Sequence, residues 1–184
     1  PSKLEFRDIK RPQTNFLETI SLRLAKIMIN LSGIKKGTLY DPFCGTGSIL
    51  QEGLLLGYDV IGSDIEMNAV RGSLENLKWL EANFQTTGKF KVLQFDARGI
   101  KLPKNSVNIV VTEPYMGPYW KRLPTREEAQ ETVATLKTLY DKVLEQLHNV
   151  LKLQGKLVII VPKLRVYPNK EISFDFEKIF KKYH

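Results

Sequence analysis

Asp41-Pro42-Phe43-Cys44-Gly45-Thr46-Gly47 is a glycine turn led by an acid, and its flanks decide the architecture. Upstream, Thr38-Leu39-Tyr40 reads as a short strand. Downstream, Ile49, Leu50 and Leu54 read as a helix that ends at Gly57. A strand, a glycine turn and a helix in that order present backbone N–H groups at the carboxyl edge of a sheet. Gly45 and Gly47 have no side chain, so a nucleoside can approach the backbone closely there. Position 50, where a third glycine would complete a dinucleotide fingerprint, is Leu50, which weighs against NAD.

The same alternation continues outward. Asp59 to Asp64 reads as a second strand, Met67 to Phe84 as a helix, Phe90 to Phe95 as a third strand and Val107 to Val111 as a fourth. A long helix from Thr125 to Lys152 shows Leu136, Leu139, Val143, Leu147 and Val150 along one face. Gly155 then introduces a fifth strand, Leu157 to Val161, stopped by Pro162. Residues from Phe174 to Phe180 can open a last helix. Apolar strands alternating with amphipathic helices predict an α/β fold: a mostly parallel sheet covered by helices on both faces. Ahead of it, residues 1–34 form a lead-in in which Arg11-Pro12 breaks any early helix. Leu17, Ile20, Leu24, Met28 and Leu31 then mark a helix from about Asn15 to Ser32, stopped by Gly33. Residues 35–184 are expected to be the catalytic domain. The chain does not start with methionine, which suggests a processed product or a piece of something longer.

Three acids close three successive strands. Asp41 sits just ahead of the turn, where a carboxylate repels a pyrophosphate and attracts an ammonium group. Asp64 ends the second strand, the place of an acid that grips ribose hydroxyls. Asp96, followed by Ala97, ends the third strand and can accept a hydrogen bond from an adenine amino group. Each acid alone reads equally well as a turn or helix-capping residue. Together with the glycine loop they describe a nucleoside site without a phosphate cradle, and S-adenosylmethionine is the ligand that fits. Pro42, Phe43 and Ile65 are expected to complete its walls. Cys44 reads as a small turn residue, because neither histidine, His148 or His184, lies near it in sequence.

The stretch Asp41 to Glu52, with Gly62-Ser63-Asp64-Ile65, resembles the class I RNA methyltransferases that modify guanine N2 in tRNA. The similarity is to the catalytic domain of the group whose members often carry an N-terminal THUMP RNA-binding domain. Arg7 to Pro12 and Ser21 to Leu31 resemble the segment leading into that domain, and the likeness covers most of residues 7–120. It implies a Rossmann-like fold, S-adenosylmethionine as cofactor, tRNA or another structured RNA as partner, and a separate RNA-binding domain or subunit. Sheets of that group run beyond a fifth strand, so this one is expected to lack its last strands.

After the fourth strand comes Thr112-Glu113-Pro114-Tyr115-Met116-Gly117. The group resembled has Asp-Pro-Pro-Tyr-Gly here. An amine conjugated to an aromatic ring is a poor nucleophile. A side-chain oxygen and a backbone carbonyl that accept its two hydrogens aim the nitrogen at the methyl donor. Glu113 and Pro114 are the residues for that task, and Tyr115 is the ring for stacking on a single-stranded or flipped-out base. The match is imperfect. Glutamate reaches about 1.5 Å further than aspartate, and one proline is missing. Methylation of adenine N6 in DNA or RNA would use the same geometry. A cofactor- or RNA-binding subunit that no longer methylates is the reading in which the altered motif is inactive.

The net charge of +8 favours a polyanionic partner. Lys121, Arg122 and Arg126 follow the motif, and Lys10 and Arg11 lie in the lead-in; both groups are candidates for phosphate contacts. Lys163 and Arg165, beyond the fifth strand, are expected along the same sheet edge. A single cysteine excludes an internal disulfide and a multi-cysteine zinc site, and no metal is expected. The polar N-terminus shows no signal peptide and no apolar run suits a bilayer, so a cytoplasmic location without membrane contact is expected.

Overall fold

The computed structural model describes residues 3–14, 20–167, 170–173 and 175–183. Asn15, Leu17, Phe174 and His184, named above, lie outside them. The order is α1 (Lys3–Lys10), α2 (Leu22–Leu31), β1 (Thr38–Asp41), α3 (Ser48–Leu55), β2 (Asp59–Asp64), α4 (Met67–Asn83), β3 (Phe90–Gln94) and β4 (Val107–Thr112). It continues with α5 (Arg126–Val150), β5 (Leu151–Ile159), β6 (Lys163–Val166), β7 (Lys170–Ser173) and α6 (Phe176–Phe180).

β1 to β5 form one sheet in the order β3-β2-β1-β4-β5, and every pairing in it is parallel. Strand alternation sorts its side chains. Leu39, Ile109 and Val111 pack with α2, α3 and α4 on one face. Tyr40 and Val110 pack with α5 and α6 on the other. The strand order turns back between β1 and β4, so the crevice at their carboxyl ends is where such a sheet takes a ligand.

Packing explains where glycine is required. A Cβ on Gly62 of β2 would lie 2.4 Å from Leu50 of α3 and 3.0 Å from Cys44. In a dinucleotide fold the helix supplies the small residue at this crossing; here the strand does, and Leu50 fills the space.

Several expectations are corrected by the structure. Arg11-Pro12 does not prevent an early helix but ends one: α1 runs to Lys10. It is held by tertiary contacts, Phe6 stacking on Trp79 at 6.2 Å and Arg7 pairing with the buried Glu52 of α3. The fifth strand begins six residues earlier than expected, at Leu151. Gln154 at φ 65° allows the irregularity that lets α5 run straight into it. Beyond Pro162 there are two further strands, β6 and β7, an antiparallel hairpin separate from the main sheet. Their signal is the alternation Lys163-Leu164-Arg165-Val166, too short and too charged to stand out. α2 turns a different face inward from the one expected: Leu22, Ala25, Met28 and Ile29 are buried, whereas Leu24 and Leu31 are exposed.

Glu52 is buried, and burial raises its pKa while Arg7 lowers it. Removing the arginine would strand that carboxylate. Arg7→Ala is expected to cost about 3 kcal/mol in urea denaturation, whereas a paired Arg7→Met, Glu52→Leu exchange should recover most of it.

Candidate active site

The glycine loop is built from backbone strain and two carboxylates. Gly45 (φ 50°) and Gly47 (φ 83°) are both left-handed, yet they serve different ends. A Cβ on Gly45 would meet nothing within 4 Å, so this glycine faces open space. A Cβ on Gly47 would lie 2.5 Å from Ser73 Oγ, so this one is needed for α4 to pack. The Asp64 carboxylate receives the N–H of Gly45 at 2.9 Å and that of Glu66 at 3.0 Å. That holds the loop over the end of β2 and leaves lone pairs for a ligand. Asn76 of α4 donates to the Thr46 carbonyl and to that of Gln13, both at 2.8 Å. The lead-in is thereby tied to the loop.

Asp41 lies beneath the loop instead of in the cleft wall. Only 1% exposed, its Oδ1 accepts from Thr112 Oγ1 at 2.7 Å and from the Phe43 N–H at 3.1 Å. Its pKa is pushed up to about 7, first by burial and further by Asp64 and Glu113, against the pull of those two hydrogen bonds. Burial likewise raises the Cys44 thiol, which suits a turn residue and not a nucleophile.

At the end of β4, Glu113 is half-buried, and burial raises its pKa. Pro114 is buried, and Tyr115 stands half-exposed. The Tyr115 carbonyl is held by the buried Tyr140 hydroxyl at 2.6 Å. Gly117, at φ 104°, lets the loop pass α5, where a Cβ would lie 2.8 Å from Thr132. The motif is therefore braced by its backbone.

Both halves open into one cleft of about 1840 Å³. Pro42, Phe43, Gly45, Asp64 and Ile65 line one end, with Asp96 and Ala97 beside them. Glu113, Pro114, Tyr115 and Arg122 line the other. A smaller cavity of about 320 Å³ lies behind the motif against α5, away from the strand ends. Asp41 and Gly47 support the wall from behind. The Asp96 carboxylate is engaged by its own neighbour, accepting from Arg98 Nε at 2.9 and 3.0 Å. Among the described residues there is no cluster of His, Cys, Asp or Glu suited to a metal, and no helix is long and apolar enough to cross a membrane.

The candidate phosphate contacts divide. Arg11 is a correction: 6% exposed, it donates to Ser48 Oγ at 2.7 Å and faces Asp8. Its guanidinium is turned into the fold, where Nη1 ties the end of α1 to the start of α3. Lys10 is exposed on α1 and does not line the cleft. Lys121 and Arg126 are exposed beside the motif. Arg122 reaches the cleft while gripping Glu128 at 2.7 and 2.8 Å. Three supporting residues escape a reading of the sequence. Thr112 and Asn76 carry no motif, but Tyr140 does leave a signal, since a phenol on a buried helix face must find a partner.

An open parallel sheet in this order, with its cleft where the order turns, is the Rossmann-like fold of class I methyltransferases. The RMKL-like methyltransferase domain family matches residues 11–179, and the chain belongs to that family. Membership implies S-adenosylmethionine as methyl donor. The tRNA (guanine(10)-N2)-dimethyltransferase of Methanothermobacter thermautotrophicus is 37% identical over 145 residues, 78% of this chain and 39% of that protein. The enzyme of the same name from Methanocaldococcus jannaschii is 32% identical over 168 residues, 88% of this chain and 41% of that protein. The chain thus spans about two fifths of the length of these relatives. The crystal structure of TrmN from Thermus thermophilus shares the fold, with a TM-score of 0.57 at 22% identity over 78% of this chain and 39% of that one.

The raised Asp41 carboxyl has a testable consequence. Its ordinary pKa is 3.8 and its folded pKa about 7, so the folded chain binds the proton more tightly than the unfolded chain. Stability contributed by the protonated form is therefore full below about pH 4 and is lost as pH rises towards about 7. Asparagine keeps the Oδ1 acceptor for Thr112 and Phe43 but does not titrate. Thermal unfolding of Asp41→Asn should match wild type near pH 4 and exceed it near pH 8 by about 1–4 kcal/mol. Equal slopes for the two proteins would overturn this account.

Proposed function

We propose that this chain transfers a methyl group from S-adenosylmethionine to the exocyclic N2 of a guanine in tRNA, the guanine at position 10 named for its relatives. The observation that carries the reading is the single cleft joining the Gly45–Asp64 end to Glu113, Pro114 and Tyr115. Its volume exceeds the usual 300–1,000 Å³ of a one-ligand pocket, which leaves room for a cofactor and a base together.

The residues fit the cofactor. Gly45 leaves its Cβ position open, and Asp64 keeps unused lone pairs for ribose hydroxyls. Among the described residues no lysine lines that end of the cleft. Asp41 supplies charge from beneath the loop, and a cationic ligand favours its ionised form. Asp96, with Ala97, accepts from the adenine amino group once Arg98 yields. Pro42, Phe43 and Ile65 give apolar walls.

Bound S-adenosylmethionine supplies an electrophilic methyl on sulfur. The chain's part is positioning. Glu113 and the Pro114 carbonyl accept the two amine hydrogens and aim the nitrogen lone pair, while the Tyr115 ring stacks on the extruded base. As the N–C bond forms and the S–C bond breaks, one N–H proton passes to the Glu113 carboxylate, whose raised pKa suits it to take a proton. The loop that carries Glu113 is braced through the Tyr140 hydroxyl and by the close passage of Gly117 past α5.

Labelled methyl transfer to an unmodified tRNA transcript, followed by nucleoside analysis, tests the reading; N2-methylguanosine is the expected product. Glu113→Ala should lower the rate by at least about 100-fold while S-adenosylmethionine affinity, read by titration calorimetry, stays within about threefold. Asp64→Ala should do the reverse and weaken cofactor binding. Full activity in Glu113→Ala would remove its orienting role, and no cofactor binding by wild type at millimolar concentration would sink the proposal.

A further inference from the structure

The cleft is electrically divided. Its floor, at the ends of β2, β3 and β4, carries Asp64, Asp96 and Glu113, whereas Lys142, Lys163 and Arg165 line the far side. Arg98 and Arg122 also reach it, but each is folded onto an acid of its own, Asp96 and Glu128.

Two elements build the far side. On α5, Thr135, Thr138, Leu139 and Lys142 line the cleft at helical spacing. On β6, alternation sends Lys163 and Arg165 to one face, where both are exposed, and leaves Val166 buried at 2% on the other. The hairpin is anchored to the segment after the Glu113 motif, where the Tyr167 N–H donates to the Pro124 carbonyl at 3.2 Å. β7 places Glu171 opposite Arg165 in register. That one carboxylate pairs with Lys163 and lies 3.9 Å from Arg165. Lys163 and Arg165 thus share one carboxylate, and together with Lys142 the cations that line the cleft from α5 and β6 outnumber it.

From this juxtaposition we infer that the β6–β7 hairpin, with Lys142 of α5, is a phosphate clamp for the RNA strand adjoining the target nucleotide. The inference rests on the RNA reading above and adds the side from which the strand enters. A base drawn down to Glu113 leaves its flanking phosphates at the mouth of the cleft. There Lys142, Lys163 and Arg165 neutralise them, while the acids on the floor repel the backbone from the cofactor end. Glu171 holds the two hairpin cations in place when no strand is bound.

Salt-dependent binding of an unmodified tRNA transcript tests this with the whole chain. A Lys142→Gln, Lys163→Gln, Arg165→Gln variant should bind at least tenfold more weakly at about 150 mM salt. Its plot of log affinity against log salt should be shallower by about 2, since each phosphate that is no longer neutralised removes about 0.7 from the slope. S-adenosylmethionine affinity should be unchanged. Glu171→Gln works in the opposite sense: by freeing both hairpin cations it should tighten RNA binding, a gain that a misfolded hairpin cannot mimic. Wild-type slope and affinity in the triple variant, or unchanged or weaker binding in Glu171→Gln, would overturn the clamp while leaving the methyltransferase reading intact. No transcript binding by wild type would remove both.

Discussion

A buried hydrogen bond joins the two halves of this site. β1 and β4 are neighbours in the sheet, but their chains leave in different directions, one into the glycine loop and the other into the Glu113 motif. Thr112 Oγ1 donates to Asp41 Oδ1 at 2.7 Å across that divide. The same oxygen receives the Phe43 N–H, so a single atom fixes the start of the loop to the end of the strand carrying the motif. The methyl transfer proposed for this cleft tolerates only about 1 Å of misplacement, and in that proposal this bond links the donor's loop to the acceptor's loop through the rigid sheet. The cost is a carboxylate held out of water.

The sheet is legible in the sequence because its signals are strong. Each of the five core strands carries an apolar run, from Leu39-Tyr40 in β1 to Leu157-Val158-Ile159 in β5, and each of the first four is followed by punctuation or an acid that marks its carboxyl end. The glycine loop, Asp64 and Glu113 fall on one edge for that reason alone, since alternating strands and helices place every strand's end on the same side. What pattern does not reveal is depth. Asp41 and Asp64 look alike in sequence, yet one is sealed under the loop and the other lines the cleft. Gly45 and Gly47 are similarly indistinguishable until Ser73 is placed behind the second. The early helix and the hairpin leave little trace because each is short, and tertiary contacts such as Phe6 on Trp79 stabilise what local propensity does not.

Depth also separates the arginines, and with them the parts of the surface open to a ligand. Arg11 and Arg98 both stand beside an aspartate. Arg11 is buried, and burial lowers its pKa in spite of Asp8. Its donor to Ser48 would leave two polar groups unsatisfied if withdrawn, so no phosphate in solution competes for it. Arg98 is half-exposed on the cleft, and its pair with Asp96 is screened by water. Such a pairing is exchanged at little cost, and each partner can be released to a ligand: the carboxylate to an amino group, the guanidinium to a phosphate. A sequence supplies charged residues, but the fold decides which of them remain available to the cleft: Arg98 does, and Arg11 does not.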